Sequence, residues 1–103
     1  MPAMKISELR TGLLVQQNVT IASATRERRN GSCALLFQVC SVHAGRVSCQ
    51  WLFTRMRDGD AHFSSRTTVR TFTAAEVSQQ LRPAAQPLVT HYLAAQESRK
   101  VLG

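Results

Sequence analysis

Residues 33–42 place the tightest limit on what this chain can fold into. The segment is apolar at both odd and even positions, and its only polar members are Gln38 and Ser41. Because successive side chains of a strand point to opposite faces of a sheet, this pattern predicts a strand that is buried on both faces. We therefore expect it in the centre of a sheet.

The flanking segments alternate apolar and polar residues, which is typical of half-buried strands. In residues 13–25 one parity carries Leu13, Val15, Val19 and Ile21. In residues 46–55 one parity carries Val47, Cys49, Trp51 and Phe53. Residues 61–72 fit one long strand or two short ones. The turns between these strands are predicted at Asn30-Gly31, Ala44-Gly45 and residues 57–60.

The C-terminal third is predicted to be helical. Thr73 and Glu76 have the spacing of a capping box, which opens a short helix that Pro83 ends. Pro87 begins a second helix. Its apolar face is predicted at Leu88, Tyr92 and Ala95, widened by Val89 and Leu93.

These elements predict one α+β domain across residues 1–103, with a lead (1–12), an antiparallel sheet (13–72) and helices (73–103). We expect a curved sheet of four or five strands, or a partial barrel, with two C-terminal helices packed on one of its faces. The predicted core consists of Leu35, Val47, Cys49, Trp51, Phe53, Val77, Leu81, Leu88 and Tyr92.

The positive charge is concentrated in the predicted sheet region. The net charge is +7, and residues 1–72 hold ten of the 13 basic side chains but four of the six acidic ones. A positive field of this kind favours polyanions, of which nucleic acids are the commonest. The alternative is an arginine-rich surface that is only solvated.

Two groups of residues are candidates for contact with nucleic acid. The first is the charged hairpin tip with Arg26, Arg28 and Arg29, because guanidinium groups match phosphate geometry. The second is a polar row on the outward parity of the sheet, where phosphate and sugar contacts are expected. From this row we select His62, Arg66 and Arg70, together with Ser48 and Gln50, and Thr54 lies beside them.

Other chemistry is less well supported by the sequence. Trp51 and Phe53 fall on the predicted core parity, which favours backbone binding over base stacking. Cys33, Cys40, His43 and Cys49 lack the close pairs of a structural zinc site, so we expect no metal and no cofactor. Glycine-rich phosphate loops, nucleophile elbows and paired carboxylates near a histidine are lacking from the sequence, so we expect no enzyme. A Cys–His nucleophile stays open, because such partners meet in space.

The cellular setting is predicted from the N-terminus and the cysteines. Residues 1–10 contain no apolar stretch of the kind found in secretory signals, and no segment is long and apolar enough to cross a membrane. The three cysteines are an odd number, which suggests reduced thiols. We expect a cytoplasmic protein without membrane association.

Residues 19–53 contain a basic segment, 26–29, between two strand-like runs, then Gly45-Arg46-Val47 and Gln50-Trp51-Leu52-Phe53. This part of the chain resembles the first three strands of OB-fold nucleic-acid-binding domains. The resemblance implies nucleic-acid contacts at Arg26, Arg28, Arg29, Gln38, Ser48 and Gln50. OB barrels close with two further strands after a helix, whereas residues 73–103 look helical. A sheet-then-helix single-strand binder fits that element order better.

The sequence thus predicts a non-catalytic nucleic-acid-binding accessory protein, without choosing DNA over RNA. The alternative is a protein-interaction module or homodimer, joined by strand edges or by the helix that carries Leu88 and Tyr92. A small-ligand or enzymatic barrel is a third reading.

Overall fold

The computed structural model describes residues 4–21, 31–56 and 61–102. A short 3-10 helix, Ile6–Glu8, precedes the first strand. The strands and helices then follow in the order β1 (Leu14–Ile21), β2 (Gly31–His43), β3 (Arg46–Met56), β4 (Ala61–Thr73), α1 (Ala74–Gln80), β5 (Leu81–Pro83) and α2 (Gln86–Leu102). The predicted α+β class is confirmed.

The strands form one open antiparallel sheet in the order β4-β3-β2-β1-β5. The first four strands are a meander in which each strand pairs with the next. As residues 33–42 predicted, β2 is the middle strand of the sheet. The two outer strands are β4, which is long, and β5, which contains three residues.

Residues 61–73 form a single strand, β4, rather than two.

The fifth strand comes from a segment that was predicted to be helical. Helix α1 ends at Gln80, and Leu81 pairs with Gln17 across the edge of β1, while Pro83 pairs with Val15. Pro83 lacks a backbone N–H, so it suits the last position of an edge strand.

The sheet is covered on both faces. On the first face Val15, Phe37, Val39, Val47, Cys49 and Phe72 form a buried cluster with Met4, Leu9, Val77 and Leu81. On the second face Leu36, Phe53 and Leu88 form another, and Leu14, Ala34, Leu52, Phe63, Ala84, Tyr92 and Ala95 pack against it. The lead and α1 therefore cover the first face, and α2 covers part of the second. The prediction that both helices share one face is wrong, because β5 carries the chain along the sheet edge between them.

A β-bulge in β3 changes which face Phe53 joins. In β2, Phe37 pairs with Trp51 and Leu36 pairs with Phe53, so Leu52 has no partner in the ladder. The β3–β4 ladder is irregular at the same place. One extra residue moves all later side chains to the opposite face. Phe53 is buried as predicted, but it lies in the second cluster and not beside Trp51.

Local sequence signals predicted the start of α1 and the packed side of α2. Thr73 Oγ1 accepts a hydrogen bond from the Glu76 N–H at 3.3 Å, and Glu76 Oε1 accepts one from the Thr73 N–H at 3.0 Å. This reciprocal pair is the predicted capping box. On α2, Leu88, Tyr92 and Ala95 pack against the second cluster as expected, whereas Leu93 is exposed.

The β2–β3 connection is the predicted two-residue turn. His43 pairs with Arg46, and the φ angles of Ala44 and Gly45 are 51° and 74°. Positive φ at both central residues is the pattern of a type I′ turn, which favours Asn-Gly. Ala44 is the unfavourable member, since a Cβ atom disfavours this conformation.

Ala44→Asn should therefore stabilise the protein. We expect the free energy of unfolding to rise by about 0.5–1 kcal/mol, because asparagine tolerates the left-handed conformation. Thermal denaturation should show a midpoint about 2–8 °C higher. Ala44→Val is the control and should lower the midpoint. An unchanged or lower midpoint for Ala44→Asn would contradict the turn assignment.

Candidate nucleic-acid interface

The five described strands hold arginine as their only charged residue type. Their sequences contain Arg46, Arg55, Arg66, Arg70 and Arg82 but no aspartate or glutamate. The described glutamates lie outside the strands: Glu8 bonds the Lys5 backbone, Glu76 caps α1 and Glu97 is on α2. The charged side chains of these strands are therefore all positive, and no acidic side chain of the same strands neutralises them.

Arg70 is held in place on the first face. Its guanidinium carbon lies 5.5 Å from the centroid of the Phe72 ring and 5.9 Å from that of Phe37. Its Nη1 donates a hydrogen bond to Gln17 Oε1 at 3.3 Å. Arginine over aromatic faces is attracted by the ring quadrupole, and the residue is still exposed to solvent. Arg70 thus presents a charge whose orientation is already fixed.

The glutamine beneath Arg70 is itself anchored. Gln17 is 7% exposed, and its Nε2 donates to Gln80 Oε1 at 2.8 Å. The chain of hydrogen bonds therefore links Arg70 on β4 with Gln17 on β1 and Gln80 on α1. Restricting the side chain before a ligand arrives lowers the entropy that binding would otherwise cost.

Ser48 and Gln50 do not lie beside Arg70. Ser48 pairs with Thr71 and Gln50 pairs with Val69, whereas Arg70 pairs with the buried Cys49 of the first cluster. Directly opposed residues share a face, so Ser48 and Gln50 are on the second face. The polar row predicted from parity is thus divided between the two faces, because the register of β4 against β3 is not visible in either strand alone.

Ser48 and Gln50 belong to the part of the second face next to the β2–β3 turn. Gln50 also pairs with Gln38, and Ser48 with Ser41. The side chains here are half-buried or exposed. Arg46, the first residue of β3, has the same parity as Ser48 and Gln50. Together they make a polar surface whose only described charge is a single arginine at its end.

The remaining predicted residues are placed only in part. Thr54, which was predicted beside the polar row, is 7% exposed and buried on the first face. His62 and Arg66 are residues of β4, and the backbone of His62 pairs with Thr54. Arg26, Arg28 and Arg29 lie outside the described residues, in the connection between β1 and β2.

A groove beside the start of α2 is lined by Arg55, a basic residue that was not among the predicted site residues. Its volume is about 420 Å³, and Gln16, Asn18, Ala34, Arg55 and Leu88 are among its lining residues. Arg55 has the parity of Val47 and Cys49, which predicts the first face. The bulge at Leu52 turns it to the second face, where it pairs with Ala34. The sequence holds no local signal for this change.

Trp51 is not a free platform for base stacking. Its indole Nε1 donates hydrogen bonds to Thr54 Oγ1 at 2.9 Å and to the Phe53 carbonyl oxygen at 3.2 Å. The ring packs against the first cluster and is partly buried. The structure is consistent with the core position predicted for it.

The three cysteines differ in exposure. Cys40 is exposed, while Cys33 and Cys49 are buried. Burial raises the pKa of Cys49 to about 11, with a further contribution from the nearby Cys40, and burial also raises the pKa of Cys33. The two buried thiols therefore stay protonated at neutral pH. Within the described ranges, the structure brings no three His, Cys, Asp or Glu side chains close enough to hold a metal ion.

Comparisons with protein-family models, with curated proteins and with solved structures find no match for this chain. Neither of the described α-helices, nor the 3-10 helix, is long and apolar enough to cross a membrane. Charge and geometry are therefore the basis on which a function is assigned.

Proposed function

We propose that this protein binds nucleic acid through the phosphate backbone and catalyses no reaction. The observation that carries the proposal is the charge of the sheet: its strands hold five arginines and no acidic residue. The arginines lie on both faces of the sheet, and a polyanion near either face gains attraction and releases counterions. Aspartate and glutamate, which would repel it, lie outside the strands.

The fixed guanidinium of Arg70 supports the proposal. Arginine presents several N–H donors in one plane, so a group held over two phenylalanine rings can bind a phosphate without first losing freedom. The polar surface around Ser48 and Gln50 offers hydroxyl and amide donors of the kind that contact phosphates and sugars. In this proposal Arg26, Arg28 and Arg29 extend the basic surface beyond the sheet, and His62 and Arg66 contribute from β4.

Titration with labelled single-stranded and duplex oligonucleotides tests the proposal. We expect binding at about 50 mM salt that weakens steeply by about 200 mM. Replacing Arg26, Arg28 and Arg29 together with alanine should weaken binding to all sequences and lower the salt slope by roughly one unit for each phosphate that is no longer neutralised. The melting temperature should change little, since a charged hairpin tip contributes little burial.

A second triple variant provides the matched control. Lys5, Arg10 and Lys100 lie outside the strands, and their replacement with alanine removes the same charge. This variant should bind better than the hairpin variant. Absence of binding by the unaltered protein at about 50 mM salt would reject the proposed function. Equal losses in the two triple variants would reject the hairpin tip as part of the binding surface.

The long edge strand supports one other role, self-association. β4 is an outer strand of 13 residues, nine of which pair with β3, so its other side offers backbone donors and acceptors to a second strand. The helix route to a dimer is not favoured, because Leu88 is buried and Tyr92 is packed in the second cluster. Sedimentation equilibrium of the free protein distinguishes a monomer from a strand-edge dimer.

A further inference from the structure

The groove beside α2 has a floor made by one small residue between two polar ones. Asn18 on β1 pairs with Ala34 on β2, and Ala34 pairs with Arg55 on β3. The polar residues are thus two strand spacings apart, about 10 Å between their Cα atoms. Since the intervening side chain is only a methyl group, the space above it is open, and the start of α2 forms one wall with Pro87 and Leu88.

The hydrogen bonds of the groove leave it rich in donors. Gln16 Nε2 donates to Asn18 Oδ1 at 2.6 Å, and Gln16 Oε1 accepts from the Ala85 N–H at 2.9 Å. Both amide oxygens therefore already accept a hydrogen bond. The other polar side chains that line the space are Asn18 with its amide N–H groups, Arg55 with its guanidinium and Cys33 with its thiol, a weak donor. A ligand that suits them carries acceptor oxygens and negative charge, as a phosphate does.

A phosphate group alone would not occupy the groove. The volume is about 420 Å³, in the range of sites that bind small organic molecules. The apolar side chains of Ala34 and Leu88 line the space together with the ring of Pro87. A ligand with one anionic part and one flat, weakly polar part matches this division, and a nucleotide has both.

We propose that the groove binds one nucleotide of a single-stranded nucleic acid. Arg55 and the Asn18 amide hold its phosphate, and its base lies against Pro87 and Ala34. A base can enter a groove only when it is not paired in a duplex, so the site selects unpaired strands. This inference rests on the proposed function. It adds that the nucleic acid is single-stranded and that the groove residues determine this selectivity.

The test compares groove variants with a variant of equal charge. Arg55→Gln removes the cation, and Ala34→Leu fills the floor without changing charge. Arg10→Gln is the matched control, since it removes one exposed arginine that lies outside both the strands and the groove. The probes are a labelled oligothymidylate of about 12 nucleotides and a duplex of equal length, at about 50 mM salt. Circular dichroism melting confirms that each variant is folded.

We expect both groove variants to lose about tenfold in affinity for the single strand, whereas Arg10→Gln loses less than about threefold. Duplex binding by Ala34→Leu should be unchanged. If Ala34→Leu does not fold, Asn18→Ala replaces it, because Asn18 is exposed. In the unaltered protein, thymidine 5′-monophosphate should shift the NMR signals of Asn18 and Ala34 more than inorganic phosphate does.

The outcomes separate this inference from the proposed function. Single-strand binding that survives in Ala34→Leu and Arg55→Gln would overturn the groove assignment and leave the proposed function standing. Equal loss of duplex and single-strand binding in a folded Ala34→Leu variant would also overturn it. Absence of all binding by the unaltered protein would reject the proposed function itself, and the groove with it.

Discussion

Replacing Phe53 with alanine should lower the free energy of unfolding by about 3–5 kcal/mol. Phe53 is 1% exposed, and its ring lies 5.3 Å from that of Phe63 and 5.6 Å from that of Tyr92, between ring centroids. The substitution removes these contacts and leaves a cavity between the sheet and α2. A domain of this size is stable by only about 5–15 kcal/mol, so a large part of its stability would be lost.

Urea denaturation followed by circular dichroism measures this effect. Val69→Ala is the control, because Val69 is 52% exposed on the same face of the sheet; it should change the free energy of unfolding by less than about 0.5 kcal/mol. Similar stabilities for the two variants would mean that Phe53 does not join α2 to the sheet.

Deleting Leu52 tests the bulge itself and should have a smaller effect. Because Trp51 pairs with Phe37 and Phe53 with Leu36, a strand without Leu52 would keep these pairs in regular alternation. Phe53 would stay in the second cluster, and Arg55 would stay in the groove. We expect the variant to fold and to lose about 1–3 kcal/mol, because the contacts of Leu52 are removed and the irregular β3–β4 ladder must adjust.

Leu52→Ala is the matched control for the deletion, because it keeps the bulge and removes only a partly buried side chain. We expect it to remain folded and to lose about 1–2 kcal/mol. Two-dimensional NMR spectra compare the variants, and both should give dispersed amide signals. A collapsed spectrum from the deletion variant would show that the fold needs the extra residue.

The features that could be predicted from the sequence are those with a local cause. Residues 33–42 predicted the central strand because a strand with two apolar faces must bury both of them, and the centre of a sheet provides that burial. Thr73 and Glu76 predicted the start of α1, since both partners of the capping box lie within one turn. The Leu88–Tyr92–Ala95 spacing predicted the packed side of α2 for the same reason.

The remaining features depend on pairings between distant segments. A strand as short as β5 is too brief to show a period of two, and Leu81 also fits the apolar spacing of α1. The extra residue at Leu52 looks like one more apolar position in an alternating strand. Each of these affects a whole element: β5 puts the helices on opposite faces, and the bulge puts Phe53 in the other cluster.

The same difference between local features and distant pairings applies to the candidate site. The excess of positive charge in residues 1–72 was visible in the sequence, because counting charges does not require the pairing of strands. The grouping of Arg70 with Ser48 and Gln50 was not correct, since the register between β3 and β4 assigns them to different faces. Arg55 was overlooked because its orientation depends on the bulge and its neighbours on the β2–β3 pairing.

The unequal edges of the sheet also limit how copies of this protein could aggregate. Growth of a filament by strand addition needs two free edges on every copy, so that each can accept a neighbour on both sides. Among the described strands, one edge is partly covered by a three-residue strand that ends in proline, and β4 offers the longer row of backbone groups. Two copies joined through β4 would use both long edges, and assembly by this route would stop at the pair.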